Sequence, residues 1–110
     1  MKKITFTIAL LAHTLFAAAQ IYVAGAQLSP NNTGQYIELD PLYRDDGRCT
    51  FRVDYGQARP KEDYVTDAQG KRLEFRSLVD GLNVFYYEGW ELVQISVQER
   101  GRRFLLKRRF

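Results

Sequence analysis

The stretch that decides the fold is Ser77-Leu78-Val79-Asp80-Gly81-Leu82-Asn83-Val84-Phe85-Tyr86-Tyr87-Glu88-Gly89, followed directly by Trp90. Leu78, Val79, Leu82, Phe85 and Tyr86 recur at helical spacing and form one apolar stripe. Ser77 is placed to cap the first turn, and the Asp80 carboxylate suits its free amides and the positive end of the helix dipole. Gly89 supplies the stop. The spacing therefore predicts a helix over about 78–88. Gly81 is a poor helix former, and its position on the helix predicts close packing against a neighbouring layer.

On both sides of this helix the period changes from 3.6 to 2. Downstream, Val93, Ile95 and Val97 alternate with Gln94, Ser96 and Gln98, and Phe104 and Leu106 repeat the alternation beyond the turn Glu99-Arg100-Gly101. Upstream, Cys49, Phe51, Val53 and Tyr55 alternate with Thr50, Arg52 and Asp54. Asp46-Gly47 is a turn dipeptide that joins them to Ile37, Leu39 and Tyr43 as a hairpin. Pro41 lacks the ladder donor, so the first strand of that hairpin is expected at an edge or broken at Pro41. A smaller hairpin is expected over Tyr64–Phe75. The expected architecture is α+β: a single antiparallel sheet of four or five strands, built from hairpins, with one α-helix (about 78–88) packed on one face. Trp90, Phe51, Phe75, Leu82, Phe85, Val93, Ile95 and Phe104 are the expected core. One helix cannot cover a broad sheet, so part of the sheet is expected to remain for solvent, the N-terminal arm or another subunit.

The start of the chain reads as an export signal. Lys2 and Lys3 precede a mostly apolar run from Ile4 to Phe16, and Ala17-Ala18-Ala19 offers a small-residue cut site before Gln20. The run is too short and too interrupted for a spanning helix, which takes about 20 apolar residues. Residues 1–19 are thus expected to be removed, residues 20–34 to form a flexible arm rich in turn formers (Ser29-Pro30-Asn31-Asn32-Thr33-Gly34), and residues 35–110 to form one domain. The expected location is periplasmic or secreted, with no stable transmembrane segment after cleavage.

Cleavage at that point also removes His13, the only histidine. Without imidazole there is no Ser-His-Asp or Cys-His arrangement, and Cys49 alone cannot build a thiolate metal site. Cys49 falls on the apolar alternation and is expected to be buried. Glycine-rich phosphate motifs are absent, so no nucleotide cofactor, and no other cofactor or metal, is expected. Carboxylate pairs are present at Asp45-Asp46, Glu62-Asp63 and around Glu88 and Glu91, but their spacing implies no shared cleft.

Loss of Lys2 and Lys3 leaves 14 basic residues against the 13 acidic ones. Six of the basic residues lie between Arg100 and Arg109, with no acid among them. An acidic body with a basic end points to an anionic partner or to self-complementarity. On the last strand Arg103, Lys107 and Arg109 share one parity, which makes them the candidate anion-binding residues. Charges on an edge strand also serve simply to block sheet-to-sheet aggregation, which is their commoner use. Val84 and Tyr87, with Asn83 or Glu88, are a second candidate surface, off the helix's apolar stripe.

From Asp67 onward the chain carries Asp67-x-x-Gly70-Lys71, Phe75-x-Ser77-x-Val79-Asp80-x-Leu82-Asn83, Gly89-Trp90-Glu91 and Phe104-Leu105-Leu106-Lys107-Arg108. This pattern resembles a group of small exported bacterial proteins of unknown function, with a Ser-capped helix, a Gly-Trp-Glu strand and a Leu-Leu-Lys-Arg terminal strand. The resemblance supports the expected fold and implies no catalytic residue. The leading functional expectation is a non-enzymatic exported accessory module that binds a protein partner or itself. The alternatives are a module binding a polyanion, such as a surface polysaccharide or lipid headgroup, through the basic terminal strand, and a cryptic carboxylate-based enzyme.

Overall fold

The computed structural model describes residues 21–58 and 63–110. The expected leader, residues 1–19, and Glu62 of the polar loop lie outside the described residues. The fold is α+β with antiparallel sheets throughout.

The strands are β1 (Tyr22–Val23), β2 (Ala26–Gln27), β3 (Tyr36–Tyr43), β4 (Cys49–Asp54), β5 (Val65–Thr66), β6 (Trp90–Gln98) and β7 (Gly101–Arg108). Helix α1 (Pro30–Thr33) is a single turn and α2 (Leu78–Tyr87) is the long helix. They form two sheets where one was expected: a large one in the order β4-β3-β7-β6 and a small one in the order β2-β1-β5.

The second sheet arises from the segment expected to be a flexible arm. Residues 22–27 make a two-residue hairpin in which Ala24 and Gly25 both have positive φ, 52° and 82°. That is the backbone of a primed hairpin turn, whose twist matches the strands it joins. Val23 then pairs with Val65 on β5. Ile21, Val23 and Leu28 are buried in the same core as the large sheet. Apolar burial thus overrides the turn-forming composition of residues 29–34, where Ser29 O accepts from Thr33 N at 2.8 Å and closes α1.

The β3–β4 hairpin forms as its alternation predicts. Ile37, Leu39, Cys49, Phe51 and Val53 point into the core. Pro41 has a specific location. β3 pairs with β7 only from Tyr36 to Leu39, so at Pro41 the strand has β4 on one side and no β7 partner on the other. The missing N–H falls on a stretch that is locally an edge.

Helix α2 begins as its cap predicts: Ser77 Oγ accepts from Asp80 N at 3.1 Å, and the Asp80 carboxylate accepts from Arg76 N at 3.0 Å. The chain leaves it through Gly89 at φ +101°. Phe85 sits edge-on to Phe51 with ring centroids 5.6 Å apart, and Phe75 lies 5.6 Å from Phe51. Gly81 rests on this cluster: a Cβ built there would lie 2.8 Å from Phe51 Cζ and 3.1 Å from Phe75. The absent side chain lets the helix settle onto the sheet.

Four expected core or stripe positions are corrected. Val93 and Ile95 are 55% and 45% exposed, and Val79 and Tyr86 lie on the outer side of the helix. The helix turns its Gly81 and Phe85 side to the sheet, which leaves Val79 and Tyr86 outside; for Val93 and Ile95 the reason is length. Ten residues of helix span about 15 Å, whereas nine residues of extended strand span about 30 Å. β6 therefore outruns the helix that covers its beginning.

Candidate functional site

Two surfaces carry chemistry beyond the core. The first is the outer face of the large sheet, where the polar halves of three strands meet. Alternation sends Glu38 and Asp40 of β3, Arg52 of β4 and Arg103 of β7 to the side opposite Ile37, Leu39 and Phe104. Asp40 stands opposite Arg52 in the register, and their side chains bond at 2.6 Å. Arg103 reaches Glu38 at 3.3 Å and Asp40 at 3.7 Å. The result is an alternating ladder across β4, β3 and β7. It floors a cleft of about 210 Å³ whose walls include Pro41, Leu42 and Arg100. Both carboxylates face arginines, so the cleft offers paired charges rather than an acid and a base poised on a substrate.

The three expected anion-binding residues are not brought together. Arg103 is tied into this ladder. Lys107 is exposed on the same face, opposite Tyr36 and Glu91 in the register. Arg109 lies past the end of β7. Its Nε donates to Tyr86 O at 3.1 Å, and its guanidinium sits 4.2 Å from the Tyr86 ring centroid, holding the chain end to the last turn of α2.

The other sequence candidates also separate. Asp46 closes the β3–β4 turn by accepting from Arg48 N at 3.1 Å, and Asp63 accepts from Gln57 Nε2 at 2.8 Å. Val84 packs partly against the core while Tyr87 is fully outside it, so they do not make one patch. Cys49 is buried, and desolvation raises its thiol pKa above the ordinary value. That keeps the sulfur protonated and unreactive. Among the described residues, no group of three or more His, Cys, Asp or Glu side chains is placed to hold a metal ion, and no helix is long and apolar enough to cross a membrane.

The second surface is the free edge of β6. The two edges of the large sheet differ. β4 is covered by the segment before the helix: Cys49 and Phe75 exchange backbone hydrogen bonds at 2.9 and 2.7 Å, Val53 N donates to Asp63 O at 2.9 Å, and Thr50 Oγ1 donates to Leu73 O at 2.7 Å. β6 is the other terminal strand of the sheet, and among the described residues nothing pairs with its outer side. It is long, and between Leu92 and Gln98 it carries no charge. Leu92, Val93, Ile95 and Val97 are all substantially exposed, Val97 by 82%. A bulge between Leu92 and Gln94 is its one irregularity. The apolar alternation of β6 was visible in the sequence. Its exposure was not, because only the strand order shows which edge is covered.

Comparison with protein-family models, with curated proteins and with solved structures finds no match for this chain.

Proposed function

We propose that this chain is an exported, non-enzymatic interaction module that engages a protein, either a partner or a further copy of itself, by strand addition to β6. The observation that carries this reading is the uncharged, apolar, unpaired edge from Leu92 to Gln98. Soluble proteins normally protect such an edge with charge, proline, a covering segment or a short strand. Here β4 has the cover, while β6 has only the bulge. In strand addition, main-chain hydrogen bonds supply affinity and alternate side chains supply selectivity. β6 provides both: its outer backbone groups and the row Ile95 and Val97.

Val97→Lys tests the reading, because Val97 lies in the strand yet contributes little to the core. The wild-type chain, immobilised and exposed to the exported fraction of its cells, is expected to retain a protein that the Val97→Lys chain loses, with equal circular dichroism for both. Equal retention by the two removes the reading, as does retention by neither when the wild-type chain is also monomeric in solution. Polyanion binding has weaker geometric support, since Arg103 and Arg109 are engaged within the chain. Elution from a heparin column without retention at low salt would dispose of it.

A further inference from the structure

We infer that the cleft on the outer face of the large sheet binds a short zwitterionic peptide, whose ammonium end lies at Glu38 and Asp54 and whose carboxylate end lies at Arg100. This inference goes beyond the β6 edge and does not rest on it.

The cleft opens where strand pairing stops. β3 and β7 are paired from Tyr36 and Lys107 to Leu39 and Phe104, and no pair follows. Pro41, just past that point, has no N–H with which to extend a ladder. Arg100 and Arg103 on one side and Pro41 and Leu42 on the other line the space that results. Between the two arginines, Gly101 brings no side chain, and a Cβ built there would meet nothing within 4 Å.

The charges around this cleft balance, three acids against three arginines, but they are not evenly used. The middle is closed on itself: Arg52 bonds Asp40 at 2.6 Å, and Arg103 reaches Glu38 at 3.3 Å and Asp40 at 3.7 Å. The two ends are not closed. At one end Glu38 and Asp54 stand directly opposite each other on β3 and β4, and like charges so placed oppose a sheet. Arg103 takes Glu38 Oε1, and Asp54 Oδ1 accepts from Gly56 N at 2.9 Å, which leaves Glu38 Oε2 and Asp54 Oδ2 for a cation. At the other end Arg100 is exposed and, among the described residues, enters no hydrogen bond or ion pair. Its guanidinium is a planar fork suited to a carboxylate.

A ligand with a single charge would serve one end and leave the other. A zwitterion serves both. Between the ends it crosses a ladder whose charges cancel, which suits neutral, polar peptide groups. The acids and Leu42 are separated by about four strand residues, roughly 13 Å, and the Arg100 side chain shortens the gap. An extended tripeptide spans about 10 Å. The cleft volume of about 210 Å³ favours small side chains on it.

The test is a titration of the purified, isotope-labelled full chain with triglycine, followed by its backbone amide resonances. Shifts at Glu38, Leu42, Asp54 and Arg103 are expected, saturating at millimolar peptide. N-acetyl-triglycine and triglycine amide each lack one terminal charge, and each is expected to bind about threefold or more weakly. Arg100→Gln is expected to bind triglycine and its amide equally. Asp54→Asn is expected to bind triglycine and its N-acetyl form equally. Each variant has lost the group that reads that end, and unchanged circular dichroism checks that it folds.

The absence of a saturable shift overturns the proposal, as do shifts that lie elsewhere on the chain. Equal binding of the three peptides by the wild type also overturns it. If blocking the carboxylate weakens binding and blocking the ammonium does not, the cleft is an anion site and the zwitterion reading is wrong. If both variants keep the wild-type selectivity, other groups read the two ends and the assigned placement fails. None of these outcomes bears on the β6 edge, whose own test is Val97→Lys.

Discussion

Gly81 shows how much a missing atom decides. It sits mid-helix, where glycine costs roughly 1 kcal/mol relative to alanine. The intrinsic propensity therefore argues for Gly81→Ala as a stabilising change. The structure argues the reverse, because the added Cβ would meet Phe51 and Phe75, two rings already packed against Phe85. Overpacking of this kind costs typically 1–3 kcal/mol, so the two effects nearly offset or the clash wins. Gly81→Ala is expected to lower the urea midpoint of unfolding without changing the slope. A raised midpoint would mean that the helix lifts from the sheet without penalty. The sequence signalled this contact through a glycine in an otherwise strong helix, although it did not name the rings beneath.

At the scale of elements, legibility followed local signals. α2 was readable because its cap, stripe and stop all lie within Ser77–Gly89. Ser77→Ala removes the acceptor of Asp80 N, and a loss of about 1 kcal/mol of stability is expected, measured by denaturant titration. A change near zero would leave the helix start to the Asp80–Arg76 contact alone. The β3–β4 hairpin was readable from Asp46-Gly47 between two alternating runs. The β1–β2 hairpin was not, because its turn is Ala24-Gly25 and the first position holds alanine at φ +52°. Asn or Asp would have announced a left-handed residue there, and alanine does not. The outer-face ladder was invisible for another reason. Glu38, Asp40, Arg52 and Arg103 come from three strands, and only the order β4-β3-β7 brings them together.

For the whole molecule, the N-terminal segment is part of the core. Leu28 is 6% exposed and joins the same cluster as Phe51 and Trp90. Leu28→Ala is expected to cost roughly 2–5 kcal/mol, the range for truncating a buried leucine, read from the midpoint of a single cooperative transition. An arm independent of the domain would give no change. The sequence could not show this, because Ile21, Val23 and Leu28 stand next to a run of turn formers, and their burial depends on β5, which lies far along the chain. Strands β1 and β2 thus share a core with the large sheet.

The placing of β7 between β3 and β6 has a kinetic consequence. Glu38 and Arg103, neighbours across β3 and β7, are 65 positions apart in the chain. The β6–β7 hairpin, by contrast, closes through a short turn. Local hairpins form in microseconds, while pairing across long loops waits on a rarer encounter. The hairpin should thus exist before it docks on β3, with both of its edges open. On one edge Arg103 and Lys107 repel a second chain; on the other, Leu92 to Gln98 carries no such guard. Folding and association then compete for the same strand during that interval. The outcome depends on how crowded the chains are when they reach it, so refolding yield should fall with concentration more steeply than the final structure alone would suggest.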